Sequence, residues 1–348
     1  MQENRLRIVC FFIIIFFLCL FSSMAEAQEK NRSEKVAITE ESGLQDYLAY
    51  GALNSPGLES AFYQWRAALE QAAQSGYLPD PRFTYTYFVR NIETRVGPQR
   101  HKFSIMQKFP WFGKRKLKSK AAEKAANEKH WMYKKKKNTL FYEIKKKYYE
   151  YYYLKKRIDI TSGHINLLQQ LESSARTGYK GGSLPYSHIV NIQVELARLE
   201  DRRTSLKALR PAVSSALART VNLSDATELP WPGKLSDKEL DLKDSRIVKL
   251  IREHNPKLKE VDASVEKYET VKKLAGRQYY PDITLGASYM ETGEAVMPGQ
   301  DDSGKDPVGI ILSLNIPMWR GKYRSGVREA ERKMDAALRK GEEFENRL

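Results

Sequence analysis

Twice along the chain a period of two gives way to a helical period. Phe83, Tyr85, Tyr87 and Val89 alternate with Thr84 and Thr86, and after a polar stretch Phe103, Ile105 and Phe109 alternate with Lys102, Ser104 and Lys108. The same rhythm returns where Ile283, Leu285, Ala287 and Tyr289 stand against Thr284, Gly286 and Ser288, and again at Val308, Ile310, Leu312, Leu314 and Ile316. Such alternation predicts strands with one apolar and one polar face. The chain should therefore carry two amphipathic β-hairpins, 82–109 and 282–316, with polar loops at 91–100 and 290–307.

Each hairpin ends in nearly the same phrase. Phe109-Pro110-Trp111-Phe112-Gly113-Lys114 recurs as Ile316-Pro317-Met318-Trp319-Arg320-Gly321-Lys322, and Leu78-Pro79-Asp80 before the first hairpin recurs as Tyr280-Pro281-Asp282 before the second. Proline cannot donate to a sheet ladder and glycine permits a turn that a side chain obstructs. Pro110, Gly113, Pro317 and Gly321 thus read as strand-to-helix hinges. The spacing between copies is 202 residues at Pro79/Pro281 and 207 at Pro110/Pro317, which predicts an internal two-fold repeat differing by a loop.

The helical periods organise the rest. Leu44 to Ala52 predicts a short helix, and Pro56 opens a longer one through Leu58, Phe62, Trp65 and Leu69. From Lys114 to about Arg176 the stripe Phe141, Ile144, Tyr148, Tyr151, Leu154, Ile158, Ile165 and Leu168 runs without a proline. This predicts one helix about 95 Å long, of coiled-coil character. A turn rich in Gly178, Gly181, Gly182 and Pro185 precedes a return helix with Ile192, Leu199, Leu206 and Val213 at a seven-residue step, flanked by Ile189, Leu196 and Leu217 and kinked at Pro211. The expected units are an N-terminal arm and short helix (28–55), a first repeat (56–233) with a long helical hairpin (114–220), a linker segment (234–255) with a helix from Asp237 to His254, and a second repeat (256–348). The last descending helix reaches only Leu348, so the second repeat reads as truncated.

Composition narrows the class. The 348 residues carry 59 Lys and Arg against 43 Asp and Glu, and the mean hydropathy is −0.59, too polar for a bundle of membrane helices. The single long apolar run, Ile8 to Phe21, follows Arg5 and Arg7 and leads to Ser22-Ser23-Met24-Ala25-Glu26-Ala27, which predicts a secretory signal peptide over 1–27. Both cysteines, Cys10 and Cys19, fall inside it, so the mature chain would have no thiol. Lys134 to Lys137 and Lys145 to Lys147, with Tyr148, Tyr149, Tyr151, Tyr152 and Tyr153, read as a solvated helix face with tyrosines packed between helices rather than a nucleic-acid surface. The five histidines lack ligand spacing. No residue pattern suggests catalysis, a metal or a cofactor.

Two greasy hairpins on long helices can satisfy their apolar faces in a buried soluble sheet or in a closed barrel facing lipid. Tyr85, Tyr87, Phe109, Trp111, Tyr289 and Trp319 suit an interfacial girdle. With the leader, the hinge phrases, Leu78-Pro79-Asp80-Pro81, Tyr179-x-x-Gly182 and the helix Gln193-Val194-Glu195-Leu196-Ala197-Arg198-Leu199-Glu200-Asp201, the chain resembles the TolC-like outer-membrane efflux proteins, most closely their heavy-metal and cation branch. The resemblance implies a mainly α protein with membrane β, a homotrimer sharing a twelve-stranded barrel, and a periplasmic helical tunnel. Partners would be a periplasmic adaptor protein, an inner-membrane efflux transporter and outer-membrane lipid, but no nucleic acid. By position, the adaptor-contacting tip is Arg176, Thr177, Gly178, Tyr179, Gly181, Gly182, Ser183 and Leu184. The lipid face is Phe83, Tyr85, Tyr87, Phe103, Ile105, Ile283, Leu285, Ile310, Leu312 and Leu314. His188 departs from the acidic or amide residue many relatives have there, and the second tip is absent. A secreted coiled-coil adhesion or scaffold protein is the alternative.

Overall fold

The computed structural model describes residues 38–223, 229–233, 235 and 243–347. The leader read at 1–27, and residues 237–242 of the helix expected from Asp237, lie outside these. Four strands form one antiparallel sheet in sequence order: β1 (Arg82–Ile92), β2 (Gln99–Phe109), β3 (Ile283–Thr292) and β4 (Val308–Leu314). The two hairpins are one surface, because β2 pairs with β3 from Gln99↔Thr292 to Phe109↔Ile283. The polar loop expected over 91–100 is shorter than the composition suggests, since β1 continues to Ile92 and β2 resumes at Gln99.

The helices are α1 (Leu44–Asn54), α2 (Pro56–Ser75), α3 (Lys114–Lys180), α4 (Tyr186–Ala208), α5 (Arg210–Thr220), α6 (Asp244–His254), α7 (Pro256–Arg277) and α8 (Arg320–Glu345). The two helices that lead to the hairpins start alike. In α2 the Ser55 hydroxyl accepts from the Leu58 N–H (3.3 Å), and in α7 Asn255 Oδ1 accepts from the Lys257 N–H (2.8 Å). Each cap is followed by a proline that needs no hydrogen-bond partner in the first turn.

The helical hairpin over 114–220 has limbs of unequal length. At 1.5 Å per residue α3 is about 100 Å long, whereas α4 and α5 together come to about 50 Å. The return limb can cover only the distal half of α3. The hinge-proximal half is covered by α2 and α7, both antiparallel to it: Trp65 packs on His130 and Phe62 on Tyr133, while Lys267 pairs with Glu128 (2.6 Å) and Lys135 with Glu260. α8 packs in turn on α7, with Lys272 bridging to Glu331 (3.0 Å). The return limb does not bend smoothly at Pro211. It divides at Leu209, and Pro211 takes the first turn of α5, where its missing N–H does no harm.

A hydrophobic core lies where α1, α3 and α5 meet. Tyr47, Ile144, Tyr148, Tyr151, Leu217, Val221 and Leu229 are buried together. Tyr151 donates to the Leu229 carbonyl (2.7 Å), Ser214 accepts from the Leu229 N–H (2.8 Å), Trp231 stacks on Tyr151, and the Arg210 guanidinium lies 4.4 Å from the centroid of the Trp231 ring. Tyr149 and Tyr153 are exposed, so the reading of all five tyrosines as packed between helices is corrected: only Tyr148 and Tyr151 are buried. The buried seam of the return limb is Ile189, Leu196, Leu206 and Leu217.

Gly51 shows how tight this core is, since a Cβ there would lie 2.5 Å from Ile144 Cδ1. Gly51→Ala gains up to about 1 kcal/mol of helix propensity, but overpacking costs about 1–3 kcal/mol. We expect Gly51→Ala to lower the thermal midpoint followed by circular dichroism, and Ile144→Val, which removes that methyl, to recover most of the loss in the double variant.

Candidate functional site

No helix packs across the four-stranded sheet among the described residues. Its register sets the faces, because residues opposite each other in an antiparallel pair share one. The rows are Phe83–Ile105–Ala287–Ile310, Tyr85–Phe103–Tyr289–Val308 and Phe109–Ile283–Leu314, with Gln107–Leu285–Leu312 between them. All ten positions read from the sequence as the lipid-facing set fall on this one face. It is open: Phe83 is 65% exposed, Leu312 65% and Ile310 90%. The opposite face carries Thr84, Thr86, Lys102, Ser104, Thr284, Ser288 and Ser313. Gly286 belongs to it and allows a close approach, since a Cβ there would meet the Ile105 carbonyl oxygen at 2.7 Å.

The sheet is tied to the helices at the first hinge. Gly113 takes φ 81° and caps α3, a conformation that favours glycine. Lys114, the first helical residue, is buried, and its ammonium donates to the Tyr280 carbonyl (2.8 Å) and to Asp282 Oδ1 (2.7 Å). The Trp111 N–H donates to the same oxygen (3.1 Å), and Lys108 pairs with Oδ2 (3.0 Å). The Trp111 indole stacks on Tyr280, centroids 5.6 Å apart. One carboxylate from the lead-in to β3 therefore closes the exit from β2. Burial pushes the Asp282 carboxyl up, but the bonds from Lys114, Trp111 and Lys108 outweigh it and hold the pKa below the ordinary aspartate range.

This clamp was missed in the sequence, although its parts stood in the recurring Pro-Asp and Gly-Lys phrases. The expectation of two equal glycine hinges is corrected. Gly321 lies inside α8, whose cap is Trp319, and is not among the positive-φ glycines. The second phrase has one more residue, and the turn is taken instead by the Met318 N–H on the Ile316 carbonyl and the Arg320 N–H on the Met318 carbonyl (2.9 Å each). Pro110 and Pro317 each follow a strand end.

At the far end of α3 the eight tip positions come together, but the turn is shorter than the Arg176–Leu184 span suggests, because α3 stays helical to Lys180. Gly182 takes φ 73°, and the Ser183 N–H and hydroxyl both reach the Gly178 carbonyl (2.9 Å each). Leu184 lies over Gly178, where a Cβ would meet it at 2.9 Å. Behind the turn, Gln193 and Arg176 both bond Glu172 (2.8 and 2.7 Å), lowering its pKa, and Tyr179 packs on Tyr186. Arg176, Thr177, Tyr179, Gly181, Gly182 and Ser183 are exposed. His188 is exposed beside them.

Among the described residues no group of His, Cys, Asp and Glu is placed to hold a metal ion, and no helix is long and apolar enough to cross a membrane. No family model and no curated protein matches the chain. Solved structures do. A membrane protein from Pseudomonas aeruginosa matches at TM-score 0.64 and 15% identity, over 91% of this chain and 76% of that one. CusC, solved in conformations bearing on its folding and transmembrane channel formation, matches at TM-score 0.66 and 13% identity, over 93% and 80%. The outer membrane protein VceC from Vibrio cholerae matches at TM-score 0.62 and 17% identity, over 87% and 75%. At these identities the likeness is one of fold: mostly helical, with a small four-stranded antiparallel sheet.

Removing one partner of a buried ion pair costs about 3–5 kcal/mol, because the other charge is left uncompensated. Asp282→Asn should therefore lower thermal stability by several kcal/mol, more than an exposed acidic-to-amide change such as Glu343→Gln. Since the Asp282 pKa is lowered on folding, its contribution is complete above the ordinary aspartate range and lost as pH falls through the folded value. The gap in melting temperature between the wild type and Asp282→Asn should close on acidification over that interval.

Proposed function

We propose that this chain is one protomer of an outer-membrane efflux conduit, in which three copies share a twelve-stranded barrel above a helical tunnel. The observation that carries the reading is the uncovered apolar face, held in register across all four strands. Water is a poor solvent for it and hydrocarbon is a good one. A four-stranded sheet with two free edges cannot close on itself, whereas twelve strands can. The fold likeness to outer-membrane proteins supports the same assembly. A secreted scaffold would leave these rows exposed to water.

On this reading solute enters at the helical tip, diffuses through a wet lumen and leaves through the barrel. No bond is made or broken, and the energy comes from an inner-membrane pump acting through a periplasmic adaptor that meets Thr177, Tyr179 and Ser183 at the tip. The sheet's polar face, which would line the barrel, carries Arg82 and Lys102. That sign favours neutral or anionic solutes and argues against a bare metal cation, the cargo the heavy-metal branch would suggest.

The protein should remain with outer membranes through a carbonate wash, run as a heat-modifiable trimer and conduct ions in planar bilayers. A washable monomer without conductance would overturn the proposal. Leu312→Arg, on the apolar face, should cost about 2–4 kcal/mol in the membrane and sharply reduce the trimer fraction. Ser313→Arg, one residue on and on the opposite face, should leave assembly intact.

A further inference from the structure

The clamp at the first hinge has a second pair of halves elsewhere in the chain, and there they are apart. Within the chain, the lead-in Tyr280-Pro281-Asp282 precedes β3 and the exit Trp111-Phe112-Gly113-Lys114 follows β2. They meet because β2 and β3 are neighbours. The recurring lead-in Leu78-Pro79-Asp80 precedes β1, and the recurring exit Met318-Trp319-Arg320-Gly321-Lys322 follows β4. β1 and β4 are the two edges of the sheet. Asp80 and Lys322 are both exposed, and neither side chain has an ion-pair partner among the described residues. The apolar residues beside them are bare as well: Tyr77 and Trp319 are each 77% exposed, whereas Trp111 in the closed junction is half-buried against Tyr280.

We propose that Asp80 of one copy closes on Lys322 of the next as Asp282 closes on Lys114 within the chain, making an inter-subunit clamp at each β4/β1 seam. The inference rests on the three-copy barrel proposed above and adds what locks its seams. It also fixes their register. In the closed junction Ile105 stands opposite Ala287 and Gln107 opposite Leu285. Carried over by the two repeat spacings, Leu312 of one copy stands opposite Tyr85 of the next, and Leu314 opposite Phe83. Both pairs put apolar side chains on the apolar face, so this register continues the greasy rows across the seam, and it leaves Lys322 one residue beyond the position that answers to Lys114, the extra residue of the second phrase. A register displaced by one residue would set Leu312 opposite Thr84 or Thr86 and break them.

Asp80 and Lys322 are solvent-exposed in a single copy and gain their partners only on assembly. The monomer fold should therefore survive charge reversal, which separates this clamp from the buried one. Asp80→Lys and Lys322→Asp should each lower the temperature at which the trimer dissociates in detergent, and the double reversal should restore most of the loss. Seam pairing itself is read independently by oxidising the Tyr85→Cys/Leu312→Cys double variant, which should give covalent oligomers that neither single variant gives. If the cysteines cross-link but the double reversal is no better than the sum of the singles, the clamp is overturned while the shared barrel stands. If no cross-link and no trimer form, the barrel reading falls and the clamp with it.

Discussion

Strand alternation puts most of the large apolar side chains of this sheet on one side, Met106, Met290 and Ile311 lying on the other, and no helix among the described residues covers the apolar side. This is the constraint on which the account depends. Burying a side chain such as Leu or Ile is worth about 1.5–3 kcal/mol, and the apolar rows here repeat that penalty many times if they face water. A soluble protein normally settles the matter with a helix laid across the sheet. Here the helices nearest the sheet, α2, α7 and the first part of α3, pack on one another instead.

The second requirement is that sheet and helices hold a fixed relation, and Asp282 meets it. It receives charge from two lysines and a backbone N–H, and its neighbour Tyr280 supplies both a carbonyl for Lys114 and a ring for Trp111. Because Lys108 lies next to the end of β2 and Lys114 begins α3, the one carboxylate spans the change from strand to helix. The aromatic core around Tyr148 and Tyr151 anchors α3 farther along its length, and α4 stabilises the end that carries the tip. A helix of this length is thus covered by different partners in succession, each over part of its run.

Much of this was legible in the sequence, because periods of two and of about 3.6 are imposed by local geometry. The strand faces could be read from Phe83 to Leu314 without knowing any pairing, and Ser55-Pro56 and Asn255-Pro256 announced two helix starts. What was not legible depended on contacts distant in sequence. Nothing local says that β2 would join β3, and so nothing local says that Asp282 would meet Lys114, 168 residues away. The partners of the hinge-proximal half of α3 were not legible for the same reason: a seven-residue step in the return limb shows that it packs on something but not how far along α3 it reaches. At the second hinge one additional residue was enough to move Gly321 into the helix and hand the turn to Met318 and Arg320. At the tip, residues 177–180 looked like turn because of their glycine, yet continued helical hydrogen bonding carries α3 through them.

The central claim is that one face of the sheet meets hydrocarbon and the other meets water. It is tested most directly by placing a nitroxide at each position from Ile310 to Leu314 in the assembled protein in bilayers and measuring its collisions with oxygen and with a water-soluble nickel reagent. The account requires strict alternation, with positions 310, 312 and 314 reached by oxygen from the lipid and positions 311 and 313 reached by the aqueous reagent. Access of the aqueous reagent to 310, 312 and 314, or exclusion of both reagents from them, would contradict it.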